Sequence, residues 1–146
     1  RFMPKRKADI RIGNLLRISG YTLDRQELSV MADFIRPSDA PGRLLVYGLS
    51  AEDESVLFSR EISMQETYPV WNNSNPDDRV HKEQRAVFRM SLPRIGKRTE
   101  IWLAWLDAEG RRVDITRVNG EVYSRNRARL TTLRPAGDAT GDRKDS

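Results

Sequence analysis

Leu44-Leu45-Val46-Tyr47-Gly48-Leu49 and Ile101-Trp102-Leu103-Ala104-Trp105-Leu106 are the two stretches that decide the fold. Neither contains a charged residue, and both are far too short to be membrane spans, which need about 20 apolar residues. Side chains on a strand alternate between opposite faces, so each run shows apolar groups on both sides. That is the pattern of a central strand covered on both faces. Trp102 and Trp105 stand three residues apart and therefore on opposite sides.

Outward from these runs the chain alternates. Ile10, Ile12, Leu16 and Ile18 share one parity and read as a single strand with a bulge near Gly13. Leu28, Val30, Ala32 and Phe34 repeat the alternation, as do Val56, Phe58 and Ile62, and then Ala86, Phe88, Met90 and Leu92. The breaks carry turn chemistry: Arg36 to Gly42 with its prolines, the acidic Ser50 to Ser55, and Asp107 to Gly110. Asn119-Gly120 is the strongest hairpin signal. Residues 67–80, with two prolines and three asparagines, read as the longest irregular segment. Seven or eight short strands and no helical pattern of useful length predict an all-β chain. The expected architecture is an antiparallel β-sandwich, immunoglobulin-like or jelly-roll-like. Residues 22–35 also fit a helical stripe through Leu23, Glu27, Val30, Met31 and Phe34.

With 146 residues the chain suits one domain. The expected division is a basic arm over 1–8, the sandwich over 9–124 and a flexible, unstructured basic tail over 125–146. Cysteine is absent, so disulfides and thiolate metal sites are excluded. Charge is segregated. Residues 1–17 carry six basic residues against Asp9, residues 111–146 nine against five acids, and the stretch between them is net acidic.

The inventory for catalysis is nearly empty. His81 is the sole histidine, no serine sits in a G-x-S-x-G elbow, and no phosphate-cradling glycine loop occurs. Asp77, Asp78, His81 and Glu83 match neither a calcium loop nor a zinc signature, and read as a solvated acidic turn. Asn72-Asn73-Ser74 fits a glycosylation triplet, which is common by chance. The expectation is a protein that is not an enzyme, with no catalytic residue, metal, cofactor or small-molecule substrate.

Binding is where the sequence points. Arg1, Lys5, Arg6 and Lys7 at one end, and Arg125, Arg127 and Arg129 at the other, are candidates for contacting a partner or phosphates. The alternation from Arg125 to Arg129 would place three guanidinium groups on one side of an extended chain. Trp71, in a loop with no core periodicity, is a candidate contact hot spot. The expected role is a structural or interaction module that self-associates or docks in a larger assembly. Its arms would reach acids such as Glu52-Asp53-Glu54 on a neighbour, and the second apolar faces of 44–49 and 101–106 would find cover there. A protein partner or a homo-oligomer is favoured over the alternative, sequence-independent nucleic-acid binding by the arms.

Over residues 42–123, the succession of strand, Pro93, Gly96-Lys97, Ile101–Leu106 and the Asp107-to-Gly110 turn resembles bacterial immunoglobulin-like sandwich domains. The cysteine pair and tyrosine-corner spacing of antibody domains are missing. Basic ends on a β-sandwich are similar in architecture to virion coat and other assembly subunits, which implies an assembly role by analogy alone.

Overall fold

Alternation along the chain becomes two antiparallel sheets packed face to face in the computed structural model, which describes residues 2–35, 42–64, 66–71 and 82–137, with backbone alone for 66–71, 82 and 83. The strands are β1 (Arg6–Ile12), β2 (Leu16–Asp24), β3 (Glu27–Phe34), β4 (Arg43–Ser50), β5 (Val56–Ile62) and β6 (Glu66–Trp71). They continue with β7 (Lys82–Ser91), β8 (Thr99–Leu106), β9 (Ile115–Val118), β10 (Glu121–Arg125) and β11 (Ala128–Leu133). One sheet runs β10-β9-β1-β2-β3-β7-β6 and the other β11-β8-β4-β5. The fold is an all-β antiparallel sandwich.

Trp105 lies between the sheets and meets Phe34 and Phe88 edge-on, with ring centroids 5.9 and 5.8 Å away. Around it pack Ile12, Leu16, Ile18, Leu28, Val30, Leu44, Val46, Ile101, Leu103 and Ile115, all buried. Leu45, Tyr47, Leu49, Ala104 and Leu106 take the opposite parity and form a second buried cluster on the outer face of the four-stranded sheet. Both predicted two-faced strands are thus apolar on both sides, and Trp102 and Trp105 do point to opposite faces.

Several boundaries differ from the sequence reading. Residues 10–18 are not one bulged strand but a hairpin. Gly13 takes the left-handed region at φ +54, and the Leu15 amide donates to the Ile12 carbonyl at 3.1 Å. The turn leaves Ile12 opposite Leu16, so parity alone could not reveal it. Residues 22–24 and 27–34 lie in β2 and β3: β3 pairs with β7 and turns Leu28, Val30, Ala32 and Phe34 into the core. The stretch read as irregular begins with β6, an edge strand that accommodates Pro69 because one side of an edge needs no donor.

Neither end is a free arm as far as it is described. Pairing starts at Arg6, and β11 extends the four-stranded sheet through the residues expected to form a tail. Leu130 and Leu133 are the reason: a register shift after Arg129 lets both pack against the core. The Asn119-Gly120 hairpin is as read, with φ +52 and +82, the pair of left-handed residues that a two-residue turn of this twist requires.

Replacing Trp105 with alanine should cost about 3–5 kcal/mol, the usual penalty for emptying a buried aromatic site. Urea denaturation should show a lower midpoint with little change in slope. The Asp107 turn gives a pH test. The Arg111 amide donates to Asp107 Oδ1 at 2.8 Å and the Glu109 amide at 3.0 Å. These bonds, that from Arg111 foremost, hold the Asp107 carboxyl below the usual carboxylate range. A lowered folded pKa gives a contribution present above the unfolded value, about 3.9, and lost as pH falls through the folded one. The Glu109 and Arg111 amide resonances should therefore shift only in acid below about pH 3.9. Asp107→Asn should abolish that step.

Candidate anion-binding face

Register across the seven-stranded sheet assembles a row of arginines that come from distant parts of the chain. Arg11 on β1 stands directly opposite Arg117 on β9 and Arg17 on β2. Arg17 stands opposite Asp33 on β3, and Asp33 opposite Arg85 on β7. The row Arg117–Arg11–Arg17–Asp33–Arg85 therefore crosses five neighbouring strands on the outer face. Adjacent strands lie about 4.8 Å apart, so the backbone positions of Arg117, Arg11 and Arg17 span roughly 10 Å.

Asp33 is the acid within the row, and it is only 6% exposed. Arg85 grips it with two donors, Nε at 2.7 Å and Nη2 at 3.3 Å, and Arg17 Nη2 reaches it at 3.5 Å. This forked geometry fixes the guanidinium planes as well as neutralising the carboxylate. Arg11 and Arg117 are less engaged. Arg11 Nε lies 4.0 Å from Asp9, with both side chains well exposed, and Arg117 Nη1 donates to the Gly120 carbonyl at 3.5 Å. Like charges directly opposite on a sheet are destabilising, so the Arg117–Arg11 and Arg11–Arg17 pairs oppose folding.

The N-terminal segment is laid across the same face. Pro4 sits so close over Gly20 that a Cβ there would lie 2.6 Å from the proline ring. The Lys5 amide donates to Thr22 Oγ1 at 2.9 Å. Farther along, Arg89 lies 5.2 Å over the Phe2 ring and donates to Ser29 Oγ at 3.0 Å. Lys5, Arg6 and Lys7 are exposed; register sets Lys7 opposite Gly20 on this face and Arg6 opposite Tyr21 on the other parity.

The C-terminal trio does not stay together. Arg125 is exposed at the end of edge strand β10, and the chain then crosses to the other sheet. Tyr123 pins the crossing by donating its hydroxyl to the Arg127 carbonyl at 2.6 Å. Arg127 lies 4.3 Å over Trp102, and Arg129 donates to Glu100 at 3.1 Å. Glu100 in turn accepts from the Trp102 indole at 3.3 Å. The expectation of three guanidinium groups on one side therefore fails: a change of sheet separates Arg125 from the other two. Trp71 is opposite Lys82 by backbone register on β6, with its side chain outside the described residues. Arg1, Asp77, Asp78 and His81 are also outside them.

Among the described residues, no group of three His, Asp or Glu stands together for a metal, and no helix is long and apolar enough to cross a membrane. No protein-family model matches the chain, and no curated protein sequence matches it.

Proposed function

We propose that the chain is a non-enzymatic interaction module that binds a nucleic-acid backbone, by charge and without reading sequence, on the outer face of the seven-stranded sheet. The observation that carries this reading is the direct register of Arg117, Arg11 and Arg17. Three adjacent cations cost stability in the free protein, and a ligand bringing closely spaced phosphates turns that cost into binding energy. The exposed Lys7, opposite Gly20 on the same face, extends the positive field. The fold holds these charges on strands, so less ordering entropy is lost on binding than with floppy arms.

An assembly role keeps one supporting observation. Among the described strands β5 pairs with β4 alone, and Val56 on it is 65% exposed, leaving an edge able to accept another strand. The outer face of the four-stranded sheet gives that reading no support. Leu45, Tyr47, Leu49 and Leu106 are at most 9% exposed within the single chain.

The polyanion reading is tested by anisotropy with a labelled single-stranded homopolymer over a salt series. Affinity should fall steeply with salt, and equally for different base compositions. Arg11→Gln and Arg117→Gln should each flatten the log–log salt dependence by roughly 0.7. Relief of each like-charge pair, about 0.2–1 kcal/mol, should leave the thermal midpoint of Arg11→Gln no lower than that of the parent. Salt-independent binding, or none at low salt, overturns the reading. Sedimentation of the same samples reports whether the β5 edge associates.

A further inference from the structure

One end of the sandwich stays open between the sheets. The β2–β3 turn, the segment after β7, the start of β8 and the chain after β11 leave a cleft of about 490 Å³ there. Leu23, Leu92 and Thr99 form its buried depth, and Phe58, Ile95 and Leu133 its walls. Gly48 on the neighbouring strand β4 leaves room for Phe58 at this wall. A Cβ on the glycine would overlap the Phe58 ring and come within 2.9 Å of Thr99 Cγ2, so the bare backbone is what allows Phe58 to lean there. Backbone bonds brace the rim: the Leu92 amide donates to the Gln26 carbonyl at 2.6 Å, and the Ala136 amide to the Ile95 carbonyl at 2.8 Å.

Charge at the mouth is one-sided. Among the described residues, Arg25, Arg94 and Arg134 line it against one carboxylate, that of Asp24. Arg25 is also held at φ +58, a left-handed conformation that glycine would adopt at far lower cost. That conformation belongs to the two-residue turn joining Asp24 to Glu27, which sets Arg25 at the edge of the cleft.

We propose that this cleft binds an amphiphile with an apolar body and a single anionic head. The body would lie between Phe58, Leu92 and Leu133, and the head would meet Arg25 and Arg94 at the rim. The volume falls within the roughly 300–1,000 Å³ of ordinary small-ligand sites. An apolar interior with a few cations at its mouth suits neither a sugar nor a free inorganic ion, since one would leave the walls wet and the other would leave them empty. This site is separate from the arginine row, and neither reading depends on the other.

The test is amide-resolved NMR of the full chain titrated below micelle-forming concentrations with decanoate, decyl phosphate, decanol and acetate. Decanoate or decyl phosphate should shift the Leu23, Leu92, Thr99 and Ala136 amides saturably; the tighter of the two identifies the head as carboxylate or phosphate. Decanol and acetate should each bind at least about tenfold more weakly, since one lacks the charge-assisted bonds and the other the apolar body. Arg94→Gln should weaken the anionic amphiphile by roughly tenfold, the loss expected for one such bond. Arg25→Gly should weaken it similarly while keeping or raising the thermal midpoint, which separates lost recognition from lost folding. No saturable shift with either anionic amphiphile, decanol binding as well as decanoate, or unchanged affinity in both variants would overturn the proposal.

Discussion

Trp105 is the contact on which the two sheets depend. Its ring fills the space between β3, β7 and β8 and meets Phe34 and Phe88 edge-on, the arrangement that sets the positive ring edge against a neighbour's negative face. Gly42, just before β4, has no side chain, and any Cβ there would collide with the indole. The entry of the chain into the four-stranded sheet is therefore shaped around this one residue. With Trp105 filling the centre between the sheets, each sheet keeps an outer face, and the two faces differ in character.

On the four-stranded sheet the outer face is apolar and already sealed. Leu45, Tyr47, Leu49, Ala104 and Leu106 pack together there, and cations lie across the aromatic members: Arg112 over Tyr47 at 5.2 Å and Arg127 over Trp102 at 4.3 Å. Contacts of this kind contribute about 0.5–1 kcal/mol each at exposed sites and spread a guanidinium over otherwise wet surface. Arginines that look in sequence like a basic tail are thus part of the lid over a hydrophobic cluster.

On the seven-stranded sheet the outer face is polar and carries unlike burdens at its two ends. At the β3–β7 end, Asp33 is nearly buried and satisfied by Arg17 and Arg85. At the β9–β1–β2 end, Arg117 stands beside Arg11 and Arg11 beside Arg17, with Arg17 reaching Asp33 and the Arg11 Nε 4.0 Å from the half-buried Asp9. A face organised for stability alone would alternate signs, as it does around Asp33. The departure from that rule is the ground on which anion binding is proposed for this face.

The sequence by itself determined the fold class, because alternation is a local property: Leu28 to Phe34, Ala86 to Leu92 and the two-faced runs at 44–49 and 101–106 can be read without knowing their neighbours. Asn119-Gly120 was legible for the same reason, since its φ angles are set within the turn. The hairpin at Gly13 was hidden because a three-residue turn preserved the parity of Ile12 and Leu16. Strand β11 was hidden because Leu130-Thr131-Thr132-Leu133 is short, bulged and surrounded by arginine and proline. Tertiary structure alone decided the candidate sites. Residues 11, 17 and 117 share a row only through cross-strand register, and the cleft joins Arg25, Phe58, Arg94 and Leu133 from four separate segments. Register and sheet order arise from the packing of the whole core, and no window of sequence contains them.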